Sequence, residues 1–108
     1  MDNPAPSRYP VENRELVAQA PGLRVQVLTL ADGQCVPWHH HTRIDDHFFC
    51  LEGPMEVRTR DPDRTHVLRV GGRLSVPAGQ VHRVAGVSDG RCRFALVQGV
   101  GEYDYVEA

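Results

Sequence analysis

Nothing between Leu23 and Gly99 offers a long amphipathic helix; the apolar residues come instead in short alternating runs, broken at regular intervals by turn-forming residues. Leu23, Val25 and Val27 alternate before the phase slips to Leu28 and Leu30, which points to a bulge or to burial on both faces. Asp32-Gly33 turns the chain. Val36 to His41 and His47 to Leu51 read as strands, and Glu52-Gly53-Pro54 turns after them. Met55, Val57 and Thr59 alternate, Asp61-Pro62-Asp63 makes a hairpin tip, and Thr65 to Val70 returns. Gly71-Gly72, Pro77-Ala78-Gly79 and Ser88-Asp89-Gly90 separate three further runs: Leu74 to Val76, Val81 to Val84, and the alternating Cys92, Phe94 and Leu96. Many short strands at this spacing predict an all-β sandwich or barrel, and closing the sheet removes most of the exposed edges such a chain would carry.

At 108 residues the chain has room for one domain. Residues 1–20 read as an N-terminal arm whose first ten hold three of the eight prolines, with Val11 to Ala20 either a short strand or a single helical turn. Residues 21–100 read as the barrel domain, and residues 101–108 as an acidic, tyrosine-bearing edge segment or subunit contact. A domain this small buries a limited share of its surface, so closure or pairing of chains is expected to help it.

A formal net charge of −2 with no basic stripe argues against a nucleic-acid partner. No apolar run approaches a membrane span, and no leader pattern opens the chain. Three widely spaced cysteines with no CxxC pair argue against a disulfide framework or zinc ribbon, so a reducing cytoplasm is the expected location. All 12 basic residues are arginines, a composition typical of a GC-rich bacterial genome, and the lack of lysine excludes Schiff-base chemistry by this chain.

Four of the six histidines lie in WHHHTRIDDH, residues 38–47. On a strand His39 and His41 share a face while His40 points away. Asp45 or Asp46 follows within one turn of chain, and His82, just after the Pro77-Ala78-Gly79 turn, is the best candidate for a fourth ligand. Imidazole nitrogen with carboxylate oxygen suits borderline divalent metals.

These residues also carry a resemblance to the cupins. The pattern G-x5-H-x-H-x4-E-x6-G is matched by Gly33, His39, His41, Asp46 and Gly53, with Asp in place of the usual Glu. The pattern G-x5-P-x-G-x2-H-x3-N is matched by Gly71, Pro77, Gly79 and His82, with Gly86 where the Asn would stand. The resemblance implies a double-stranded β-helix, or jelly-roll, barrel. It also implies one divalent transition metal per chain (Fe, Zn, Mn, Ni or Cu) held by His39, His41, Asp46 and His82, and a homodimer. The shorter Asp46 side chain demands an inward strand, a bridging water, or an outer role behind three histidines.

Such proteins act on small organic molecules as metal-dependent dioxygenases, cyclases or isomerases; the alternative expectation is a non-catalytic module that binds or senses a small molecule. A structural, storage-type role is set aside because all three histidines are kept. Among the remaining residues, His40, His47 and His66 read as surface or packing histidines, and Trp38 as a core residue or pocket wall. Arg43 is a solvated loop arginine or a grip for a substrate carboxylate. Cys35, Cys50 and Cys92 read as small core residues, with Cys50 sharing the parity of Asp46 and Phe48.

Overall fold

Two five-stranded antiparallel sheets face one another in the computed structural model, which describes residues 8–108. One sheet runs β1–β2–β9–β4–β7, from Asn13–Ala20 (β1), Leu23–Leu30 (β2), Cys92–Gly99 (β9), Asp45–Glu52 (β4) and Arg73–Val76 (β7). The other runs β10–β3–β8–β5–β6, from Val106–Glu107 (β10), Cys35–His40 (β3), His82–Gly86 (β8), Met55–Thr59 (β5) and Arg64–Leu68 (β6). The only helical piece among the described residues is a three-residue 3-10 turn, Val87–Asp89. Of the Pro-rich opening segment, residues 1–7 lie outside the described residues. Val11 to Ala20 resolves in favour of a strand: β1 pairs with β2 along its length, with a bulge between Leu16 and Ala18.

The phase slip in β2 is burial on both faces rather than a bulge. Its ladder with β9 is unbroken from Leu23↔Gly99 to Leu30↔Cys92. The inward parity is Arg24, Gln26, Leu28 and Leu30, and Thr29 on the opposite parity is also buried. The slip therefore marks a change of chemistry along one face, polar at one end and apolar at the other. The same sorting recurs on β4 (Asp46, then Phe48 and Cys50) and on β9 read backwards (Gln98, then Leu96, Phe94 and Cys92).

Residues opposite one another in an antiparallel ladder lie about 4.5–5.5 Å apart, so these strands stack their inward residues in rows. Leu28, Phe94 and Cys50 form one row, and Arg24, Gln98 and Asp46 form another. The apolar rows, with Met55, Val57, Val84 and Val76 from the remaining strands, make the hydrophobic core. Phe94 and Phe48 meet there at 5.7 Å between ring centroids. The polar row opens the other end of the barrel.

Trp38 is not a core residue. A register shift between Val36 and His39 turns it outward, where the Arg60 guanidinium lies 3.9 Å over its ring. Cys50 and Cys92 are buried, as their parity implies, whereas Cys35 is only half-buried. Cys50 stands four residues along β4 from Asp46, roughly 13 Å of strand, and so belongs to the apolar end.

Candidate metal centre

β3 and β8 lie side by side with His39 directly opposite His82, and His41 follows at the end of β3. Asp46 comes from β4 in the facing sheet, so the cluster spans the barrel from one layer to the other. His39, His41, Asp46 and His82 are all at most 3% exposed. One ligand atom from each falls within 4.8 Å of the rest, a set that could hold a metal ion.

The Asp46 side chain, short as it is, reaches the cluster. Its Oδ2 lies 2.8 Å from His82 Nε2, 3.0 Å from His41 Nε2 and 3.9 Å from His39 Nε2. Asp45 points elsewhere and accepts the Ala78 N–H at 2.9 Å, which holds the turn before His82. Gly79 in that turn has φ +88°, a left-handed conformation that glycine adopts without strain, and its N–H donates to the His41 carbonyl at 2.7 Å. One turn thus ties the two histidine-bearing elements together.

Each imidazole is oriented from behind. His39 Nδ1–H donates to the Pro37 carbonyl at 2.7 Å, His82 Nδ1–H to the Gln80 carbonyl at 2.8 Å, and His41 Nδ1–H to the Asp104 carbonyl at 2.5 Å. A carbonyl only accepts, so Nδ1 carries a proton in all three rings and each Nε2 faces the carboxylate, as a lone pair wherever the ring is neutral. Four electron-rich atoms facing one point require a positive charge between them, either a proton or a cation. Three imidazole nitrogens and one carboxylate oxygen converging within 4.8 Å form a donor set that could hold a borderline divalent cation. Backbone carbonyls behind ligand histidines are also the usual way in which ring orientation and basicity are set.

Electrostatics agree with the geometry. Burial opposes the Asp46 carboxylate, but hydrogen bonding from the His41 and His82 imidazoles outweighs it and holds the group well below the usual carboxylate range. Burial, reinforced by His82, lowers His39 to about 4, so this ring stays neutral at physiological pH. Burial also works against the charged form of His41, yet the bond to Asp46, its charge and the Asp104 carbonyl together raise it.

Behind the carboxylate runs a network whose polarity is forced. Gln98 Nε2 donates to Asp46 Oδ1 at 2.9 Å, because a carboxylate can only accept. Gln98 Oε1 then accepts from Arg24 Nη2 at 2.7 Å and Nε at 3.1 Å, and from Gln26 Nε2 at 3.0 Å. Gln26 Oε1 accepts in turn from Arg14 Nη1 at 2.7 Å. The row Arg24–Gln98–Asp46 across β2, β9 and β4 is what makes this chain of bonds possible.

The remaining wall comes from the two ends of the chain. Tyr105 stacks on His39 at 4.5 Å and 12°, and Tyr103 lies 5.4 Å from His41. Burial, with Tyr9 nearby, pushes the Tyr105 phenol up to about 12, so it stays protonated. Thr42 Oγ1 and N–H both donate to the Asp104 carboxylate, and β10 pairs with β3, which fixes the tail against the site. A cavity with about 80 Å³ open to the centres of water-sized molecules lies in front of His39, His41 and Asp46. Arg8, Tyr9, Arg14, Arg24, Tyr103 and Tyr105 are among its lining residues.

The sequence reading missed this wall. Polar residues at the inward parity of β2 and β9, namely Arg24, Gln26 and Gln98, were the available signal. Arg43, the arginine considered there, is exposed and pairs with Glu102 at 2.8 Å, outside the cavity. His40, His47 and His66 also stand outside it, and His47 bonds the Ser75 hydroxyl at 2.6 Å.

Residues 26–98, more than half of the chain, match the family model of the cupin domain. The chain belongs to the cupin family. An uncharacterized protein of Bacillus subtilis (strain 168), YdbB, is 41% identical over 46 residues, 43% of this chain and 40% of that protein, so the match spans well under two thirds of its length. Among solved structures, an uncharacterized conserved protein with a double-stranded β-helix domain from Klebsiella pneumoniae superposes with a TM-score of 0.79 at 22% identity, covering 96% of this chain and 84% of that one. Oxalate oxidase superposes with a TM-score of 0.71 at 18% identity, over 81% of this chain and 46% of its own. At these identities the structural likenesses establish the cupin fold, a double-stranded β-helix, and leave the reaction open. No helix among the described residues is long and apolar enough to cross a membrane.

Proposed function

We propose that this cupin is a metal-dependent enzyme acting on a small organic molecule, with one divalent transition metal held by His39, His41 and His82 through Nε2 and by Asp46 through Oδ2. The observation that carries the reading is the set of three Nδ1–H bonds to backbone carbonyls, which leaves three Nε2 atoms facing a buried carboxylate. When bound, the metal supplies Lewis acidity, or redox chemistry if it is iron.

The chain's own residues do the rest. The carbonyls of Pro37, Gln80 and Asp104 orient the rings, and Gln98 orients the carboxylate. Tyr103 and Tyr105 shield the histidines from bulk water and give a substrate flat faces to lie against. Elemental analysis of untagged protein is expected to give about one transition metal per chain. With iron, nickel or copper in place, oxygen uptake with phenolic, thiol or diketone compounds tests the dioxygenase form. Zinc directs the search to cyclase or isomerase chemistry. If no metal binds even from an excess of ion, the reading fails and the barrel is a small-molecule binding module.

We also propose a homodimer packed through the outer face of the β1–β2–β9–β4–β7 sheet. Two cross-strand rows there carry Val25 and Val97, and Val27, Ala95 and Phe49, with Phe49 37% and Leu51 40% exposed. Apolar residues in neighbouring rows of an outer face form a contiguous strip suited to a second copy. Light scattering is expected to give twice the 12.1 kDa chain mass, reverting to one chain mass in Phe49→Glu.

A further inference from the structure

Arg24 is a half-buried cation without an acidic partner among the described residues. Both of its side-chain hydrogen bonds go to one neutral atom, Gln98 Oε1, and among the described residues no carboxylate lies within salt-bridge distance of it. Its guanidinium carbon lies 4.2 Å from the centroid of the Tyr103 ring, a cation–π contact that, with the two bonds to Gln98, holds the head group in place. It shares the cavity wall with Arg14 and Arg8, the latter 5.0 Å over Tyr105. Asp46 is the one acidic residue among the described residues that line the cavity, and its oxygens are taken up by His41, His82 and Gln98. Among the described residues, three guanidinium groups therefore border a small space whose one carboxylate is already engaged, and the Arg24 guanidinium is bonded only to a neutral atom. A partly desolvated cation with only neutral partners is costly unless an anion completes it, and the planar guanidinium fork matches a carboxylate.

We infer that the substrate is a small carboxylate-bearing anion, its carboxylate gripped by Arg24 with Arg14 and Arg8 adding to the positive field. This rests on the metal reading above and deepens it by naming the substrate class. Arg24 stands one glutamine amide away from Asp46, so a carboxylate at Arg24 places the next atoms of the molecule in front of the histidine cluster. Tyr103 and Tyr105 favour a flat molecule. The grip lies on the opposite strand parity from the Leu23, Val25 and Val27 run, and so faces the cavity rather than the outer sheet surface.

The test uses the full chain loaded with zinc, which has no redox chemistry of its own, and titrates it calorimetrically with propionate and with propionamide, its neutral counterpart of the same shape. Propionate is expected to bind one per chain at least about tenfold more tightly than the amide. Arg24→Gln is expected to remove about tenfold or more of the propionate affinity, the size of a hydrogen bond to a charged group. Zinc content is measured in parallel and is expected to stay at one per chain in the variant, because Gln26 still donates to Gln98 and Gln98 still holds Asp46.

Propionate affinity within about twofold of wild type in Arg24→Gln, at unchanged zinc content, overturns the inference: the carboxylate is then held by the metal alone. Failure of the wild-type chain to take up zinc overturns the metal reading instead. The same comparison on the metal-free chain then still reads whether Arg24 grips the anion. If Arg24→Gln does not fold, the Arg24 side-chain N–H resonance in wild type decides the question. It must shift with propionate and stay in place with propionamide, and an unmoved resonance overturns the inference.

Discussion

His82→Ala is expected to abolish stoichiometric metal binding while leaving a folded barrel. His82 is 1% exposed, its Nε2 stands 2.8 Å from Asp46, and its ring lies 4.3 Å from that of His39. Loss of an orienting partner behind a ligand already costs about 10–100-fold in metal affinity, so loss of a ligand itself is expected to exceed that range. Elemental analysis should fall from about one metal per chain to well below one tenth at equal protein concentration. The variant also removes a hydrogen-bonding partner of the buried Asp46 carboxylate, so its stability without metal should drop as well. His47→Ala is the matched control: His47 sits on the outer side of β4 against Ser75, and its loss should leave metal content unchanged. Full metal occupancy in His82→Ala would remove His82 from the ligand set and with it the reading of the site.

Phe94→Ala is expected to cost about 3–5 kcal/mol of stability, the range for emptying a buried aromatic site. Phe94 is fully buried and packs against Phe48, and it stands between Leu28 and Cys50 in the central row of the apolar end. The row cannot collapse into the space because its neighbours are held in ladder register on both sides. For a domain of this size the loss corresponds to a fall in melting temperature on the order of 15 °C or more. Metal stoichiometry of the folded fraction should be retained, because Phe94 lies two rows from Asp46 along β9 and β4. A melting temperature within a few degrees of wild type would mean that the barrel is far less tightly packed than its buried rows indicate.

The two variants act at opposite ends of one barrel, and that division explains the architecture. Strand alternation gives every strand an inward face, and the chemistry along that face changes from hydrocarbon to hydrogen-bonding groups over about two residues. The apolar end supplies the stability of a small domain, while the polar end holds the Asp46 carboxylate inside a set of hydrogen-bonded side chains. The carboxylate has two histidines and a glutamine, and the glutamine has an arginine. Burial of these groups is tolerable only as a complete set, since an unpaired buried charge is far more costly than a paired one.

The all-β class and the alternating strands were legible in residue order alone, because a period of two and turn residues such as Asp32-Gly33 and Gly71-Gly72 are local properties. The grouping of His39 with His41 was legible for the same reason, and the fixed spacing to Asp46 and His82 marked the residues that the fold brings within 4.8 Å. Local pattern misplaced Trp38, because the shift between Val36 and His39 that turns it outward depends on pairing with β8. It read Arg43 as a solvated loop arginine or a carboxylate grip, and the exposed pairing with Glu102 fits the first of these, but it gave no sign of Arg24. Arg43 is near the histidines in sequence, whereas Arg24 is near them in space, through a row that crosses β2, β9 and β4. The motif spacing favoured Asp46 over Asp45, and the sheet turns Asp46 into the cluster while Asp45 accepts the Ala78 N–H. Sequence by itself determined which side chains alternate and where the chain turns, since those follow from backbone geometry within a few residues. Only the tertiary structure decided which distant strands became neighbours, and so which arginine, glutamines and tyrosines stand around the histidines, because ladder register is a property of pairs of strands.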